Sequence, residues 1–393
     1  MSIDESQVTA AVAAVADPEL RRPLGELGMV GSVQTRRKRA AVEVALPVAH
    51  YPQVEELEER IRLAVGSVPG VDEVSVTTVV MDEGPRARLR MLLRGEAVEG
   101  GTQHAADDGH DHGHEHGGSP LGHEEGRPNR FMLPRSKTRI LGISSGKGGV
   151  GKSSVTVNLA VALARRGLDV GILDADVYGF SVPKMLGVTN DPLIIGDLVV
   201  PPTANGVRCL SMGYFVPDDT PVIWRGPMLH KALEQFLVDA YWGEPDYLLI
   251  DMPPGTGDVT LSLGQYLTKT EVYVVTTPQP AAERVAQRSA YAARKLKLAV
   301  RGVIENMSWF TGDDGKRYEL FGAGGGTQLA DELGVPLLAQ VPLVSALRQG
   351  GDVGIPTVIA EPYGEVAKVF ESLATSIIEL GPARVYRKEL SLS

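Results

Sequence analysis

The sequence predicts an α/β fold with a mainly parallel sheet, preceded by a small α+β unit, and three observations carry that prediction. Apolar runs of strand length alternate with helical segments from Arg139 to about Leu380, the pattern of a parallel sheet covered on both faces. Within it, Gly146, Gly151, Lys152 and Ser153 satisfy G-x-x-x-x-G-K-[ST] between a strand-like run and a helical one, the context that this motif requires. Between Glu96 and about Asn129 the large apolar residues give way to Gly, Asp, Glu and His, and such a composition cannot bury enough surface to offset the entropy of ordering.

These shifts divide the chain into residues 1–96, an α+β domain, 97–130, a disordered His-rich linker, and 131–385, a P-loop NTPase domain. In the first part, Val8, Ala11, Val12 and Val15 have helical spacing, Ala40 to Pro47 reads as a strand and Val54 to Val65 as a helix. Val71 to Val80 and Arg86 to Leu93 read as two further strands, separated by the turn-forming Asp82-Glu83-Gly84-Pro85. No catalytic constellation occurs there, so binding or interaction is its expected role. The linker holds six of the eight histidines, including His110, His112, His114 and His116. Imidazoles at two-residue spacing can close around Zn²⁺ or Ni²⁺; the same tract reads equally as a solvated spacer.

In the third part, strands are expected at Ile140–Ser144, Val170–Asp174, Tyr247–Asp251, Val272–Thr276, Gly302–Asn306 and Leu337–Gln340, with helices such as Met228–Tyr241 and Ala281–Leu296 between them. The glycine-rich Gly322–Gly326 reads as the turn before a helix starting near Thr327. Ligands of such sheets bind beyond the carboxyl ends of the strands. There the amides of Gly146, Gly148, Gly149, Val150, Gly151 and Ser154 can face a polyanion at the positive end of the next helix. Lys152 adds a charge at the β/γ-phosphates of ATP, and Ser153 is placed to ligate Mg²⁺. Asp251, after four apolar residues, is the candidate carboxylate for the metal shell. Asp174 and Asp176 follow the second strand and are expected on one side, Asp176 orienting the attacking water. Lys147 is a second cation for charge developing in the transition state, and Asn306 can read an adenine edge or cap a turn.

Composition narrows the partners. The formal net charge of −10 and pI near 5.4 disfavour nucleic acid and anionic lipid, and no apolar run reaches the length of a membrane span. The acidic start, Met1 to Ser6, lacks the regions of a signal peptide, and the single cysteine, Cys209, suits a reducing compartment. A cytoplasmic protein is expected.

The loop Gly146-Lys147-Gly148-Gly149-Val150-Gly151-Lys152-Ser153 resembles the deviant Walker A loop of the SIMIBI class, which includes the nitrogenase iron protein, MinD and ParA. Leu173 to Gly179, Trp224-Arg225-Gly226-Pro227, Asp251 to Asp258 and Ile304-Glu305-Asn306-Met307-Ser308 are similar to segments of the Mrp/ApbC/NBP35 group of iron–sulfur cluster carrier ATPases. Asp17-Pro18-Glu19-Leu20 and Leu27-Gly28-Met29-Val30 resemble a MIP18-like domain. The resemblance implies an ATPase acting as a homodimer, with Lys147 reaching the partner's nucleotide, and a [4Fe–4S] cluster delivered to apo iron–sulfur proteins or passed among assembly factors. The chain departs from the family in one respect. Where the family has C-x-x-C after Glu-Asn-Met-Ser, it reads Trp309-Phe310-Thr311-Gly312-Asp313-Asp314-Gly315, and His50-Tyr51-Pro52 stands near the position of the MIP18-like cysteine. Two other functions therefore stay open: a nucleotide-driven Ni²⁺ or Zn²⁺ chaperone using the His tract, and an ATP-gated dimeric scaffold that binds no cluster.

Overall fold

The computed structural model describes residues 3–95, 128–177, 179–215, 226–255 and 257–383. The His tract, with His110, His112, His114 and His116, lies outside them, as do Tyr178, Trp224, Arg225 and Thr256. The chain forms two compact units, one of Met1–Glu124, Pro192–Val200 and Asp239–Gly243, the other of Glu125–Asp191, Pro201–Val238 and Glu244–Ser393.

The first unit has a three-stranded sheet in the order Val30–Arg36, Arg39–Leu46, Glu73–Val80, the first pair antiparallel and the second parallel. Ala40, Val42, Val44 and Leu46 alternate inward from the central strand, the period that buries one face of a sheet. They meet Val8 and Val12 of the helix Glu5–Ala14 and Leu57, Ile61 and Val65 of the helix Val54–Gly66. The segment Arg86–Leu93, read as a strand, is instead part of a helix, Glu83–Arg94. Leu89 and Leu93, four residues apart, are its buried contacts, and Asp82 and Pro85 start it rather than closing a hairpin, because Pro is tolerated in a first helical turn. The sheet's third strand is Val30–Arg36, whose Gly31, Ser32 and Gln34 conceal it from an apolar pattern.

The second unit is built on an eight-stranded sheet ordered Leu337–Val341, Ala299–Asn306, Glu271–Thr276, Arg139–Ser145, Tyr247–Asp251, Val170–Asp174, Val207–Ser211, Thr203–Ala204. All neighbours are parallel except the last pair. This agrees with the predicted α/β class. The helix Lys152–Ala164 is buried from Val155 to Leu163 between the sheet and the helix Glu365–Leu380, which explains its apolarity on every side. The helix expected near Thr327 begins two residues earlier, as Gly325–Leu333 with Gly324 as its N-cap, so of the expected turn Gly322–Gly326 the last two glycines are helical. Among the described residues no helix is long and apolar enough to cross a membrane.

Candidate nucleotide site

The Arg139–Ser145 strand runs into a loop whose shape depends on glycine at particular positions. Gly146 lies flat against the helix Pro280–Lys295: a Cβ there falls 2.2 Å from the backbone N of Ala286 and C of Val285. Gly149 and Gly151 have φ of +81° and +78°, left-handed values that cost other residues strain. Gly151 is also the N-cap of the Lys152–Ala164 helix, so that helix's positive end opens on the loop. The loop from Lys147 to Ser154, with Asp176, Ser181 and Met185, lines a cavity of about 410 Å³, within the range of small-ligand sites.

Strand register assembles the buried carboxylates behind this loop. Asp251 pairs with Asp174, and Asp174 with Ser211, across three adjacent strands. Asp251 is buried and fully engaged: Lys152 Nζ and Ser153 Oγ donate to its Oδ2 at 2.6 and 2.7 Å, and Thr156 Oγ1 donates to its Oδ1 at 2.6 Å. Asp174 accepts from the backbone N–H groups of Asp176, Ser181 and Val182 and from Ser211 Oγ, at 3.1 to 3.3 Å. Burial first, and the Asp251 charge second, push its carboxyl above the usual range.

Asp174 and Asp176 were expected on the same side, and the structure separates them. The strand ends at Asp174, so extended alternation stops; Asp174 anchors the following loop from inside while Asp176 reaches the cavity wall, accepting from Gly179 N–H at 3.1 Å. Lys147 lines the cavity and donates to Gln279 Oε1 at 3.4 Å. The Asn306 amide, expected at an adenine edge or in a cap, is buried beneath the loop: Nδ2 donates to the Val150 carbonyl at 2.9 Å and Oδ1 accepts from Met307 N–H. Sequence reasoning missed Thr156 and Gln279. Thr156 stands four residues after Lys152, on one helix face with it, and that spacing was the available signal.

The Ser153 hydroxyl beside the buried Asp251 carboxylate is a donor set suited to Mg²⁺, a hard cation that takes oxygen ligands through one or two carboxylates. Thiolate chemistry has no such site. Cys209 is wholly buried in the Val207–Ser211 strand, and burial holds its thiol well above the usual range. Gly312 and Gly315 occupy the turn of a short hairpin, Phe310–Thr311 with Arg317–Tyr318, and among the described residues no group of three or more His, Cys, Asp and Glu could hold a metal ion.

A parallel sheet with a glycine-shaped loop, its lysine and serine joined to a strand-end aspartate, defines a P-loop NTPase. More particularly, the chain belongs to the family described as NUBPL iron-transfer P-loop NTPases, whose model matches residues 136–378; residues 5–76 match the model of an iron–sulfur cluster assembly protein. The "iron-sulfur cluster carrier protein" of Mycobacterium tuberculosis is 43% identical over 377 residues, 94% of this chain and 92% of that one. The protein of the same name from Bacillus subtilis is 38% identical over 345 residues, 87% of this chain and 88% of that one. Among solved structures, a nucleotide-binding protein from Archaeoglobus fulgidus in complex with ADP has a TM-score of 0.51 at 33% identity, covering 60% of this chain and 93% of that one.

Proposed function

We propose that this chain is a cytoplasmic, homodimeric Mg²⁺-dependent ATPase whose nucleotide cycle carries or assembles iron–sulfur clusters for apo iron–sulfur proteins. The observation behind it is the group formed by Lys152, Ser153 and Asp251 at the mouth of a loop of family-typical sequence. In this reading the amides from Gly146 through Gly151 and that of Ser154, with the Lys152 ammonium, hold the triphosphate. Ser153 and Asp251 hold Mg²⁺, which neutralises the charge developing on the phosphates when bound. Asp176, at the cavity wall, orients water, and Asp174 keeps its loop in place. Lys147 serves the nucleotide of a second copy, and Asn306 braces the loop at Val150.

The carried cluster is substrate, and the described part of this chain offers it no accessible thiolate. That favours a second arrangement within the same role, an ATP-gated dimeric scaffold in which client or assembly factor supplies most cluster ligands. Delivery of Ni²⁺ or Zn²⁺ would depend on the His tract, His110 to His116.

The test measures ATP binding and turnover of the full chain with Mg²⁺. Lys152→Ala is expected to lower affinity at least tenfold, by removing a charged donor from a buried phosphate. Asp176→Ala is expected to keep affinity within a few fold while turnover falls about 10²-fold or more, the size of a positioned-base effect. Parental turnover in Asp176→Ala sinks the water-orienting role, and an absence of ATP binding by the parent sinks the whole reading.

A further inference from the structure

We infer that Thr156 is the positioning residue of the metal site, fixing the plane of the Asp251 carboxylate so that its other oxygen is presented to Ser153 and the cation. The inference rests on the reading of the cavity as a Mg²⁺–ATP site. Thr156 is fully buried. Its Oγ1 stands 2.6 Å from Asp251 Oδ1 and 3.0 Å from the Lys152 carbonyl, and a hydroxyl has one proton to give. The carboxylate takes it, because a bond to an ionised acceptor is the shorter and stronger one.

The terminal torsion of an aspartate is broad, so nothing in the Asp251 backbone decides the plane of its carboxylate. Three donors decide it. Lys152 and Ser153 converge on Oδ2 from the loop side, and Thr156, one helical turn deeper, takes Oδ1. All three donors sit on one helix, Lys152–Ala164, and the carboxylate on a neighbouring strand, so the Thr156 bond ties the metal-facing oxygen to the rigid buried part of the helix rather than to the loop. When Lys152 turns toward a phosphate, Ser153 and Thr156 are the donors that remain on Asp251, and Thr156 is the one on Oδ1.

The readout is the gain in ATP affinity that Mg²⁺ produces, measured by calorimetry on the full chain with Mg²⁺ and with EDTA. Thr156→Val keeps the shape and removes the hydroxyl; it is expected to cut the Mg²⁺-dependent gain about tenfold, the lower end of effects on metal affinity from residues behind the ligands. Affinity in EDTA is expected to stay within about threefold of the parent, since the loop amides are untouched. Thr156→Ser, which restores the donor, should recover the gain. Melting curves check the fold of each variant, and Thr156→Ala replaces Thr156→Val should the latter melt early. An undiminished gain in the truncated variants overturns the inference, as does an equal loss with and without Mg²⁺, which would make Thr156 a support of the loop alone. A parent that binds no ATP in either condition overturns the nucleotide-site reading itself, a result distinct from both.

Discussion

Asp17 and Glu19 in the first unit show how burial without a full set of partners governs a carboxylate. Asp17 Oδ1 accepts from the backbone N–H groups of Glu19 and Leu20 and from the Tyr51 hydroxyl, at 2.7 to 3.0 Å, while Asp17 Oδ2 and Glu19 Oε1 are buried without a partner. Burial first, and the Asp17 charge second, push Glu19 from an ordinary 4.5 up to about 7. The folded protein thus holds this proton more tightly than the unfolded chain does. The stabilisation from that proton is complete below about pH 4.5 and is lost as pH rises through about 7. Glu19→Gln, which cannot ionise, should therefore melt progressively higher relative to the parent as pH rises through this window. A difference in melting temperature that is flat with pH would contradict it.

At the scale of elements, the nucleotide loop is shaped by its neighbours as much as by its own glycines. The Pro280–Lys295 helix backs Gly146 and supplies Ser289, which bonds Ser144 at 2.7 Å, while the Ala299–Asn306 strand ends in the amide that holds Val150. Gly146→Ala sets a methyl 2.2 Å from helix backbone that no rotamer change can move. We expect a stability loss of about 1–3 kcal/mol, typical of overpacking, together with weakened ATP binding. Gly148→Ala has open space at its Cβ and should stay within about 0.5 kcal/mol of the parent, as surface changes do. Denaturant midpoints compare the two; equal midpoints would show that the helix yields.

At the scale of the whole molecule, the cargo turns on the cysteine count. Fe–S clusters are held chiefly by cysteine thiolates, and the single cysteine, Cys209, lies inside the sheet that carries the nucleotide loop. After anaerobic reconstitution with iron and sulfide, Cys209→Ser is expected to retain the parent's iron, sulfide and absorption. A fall to half or less would make Cys209 a ligand and require the Val207–Ser211 strand to open. Iron lost only when residues 104–123 are deleted would place the cargo on the His tract instead.

The phosphate loop, the alternating strands and helices, and the strand-end positions of Asp251 and Asn306 were legible because each depends on local pattern: glycine at fixed offsets, apolar runs of fixed length, a polar residue where a run stops. Tertiary structure alone decided how those ends meet. Strand order placed Asp251 between Ile143 and Asp174, three helix donors fixed its carboxylate, and the Asn306 amide turned under the loop. The Arg86–Leu93 segment became helix, in which Leu89, Leu92 and Leu93 reach the core together, an i, i+3, i+4 set that shares one face in a helix and not in a strand. The meeting of those ends depends on contacts between residues far apart in the chain, 95 positions for Thr156 with Asp251 and 156 for Val150 with Asn306, and no local periodicity encodes such contacts.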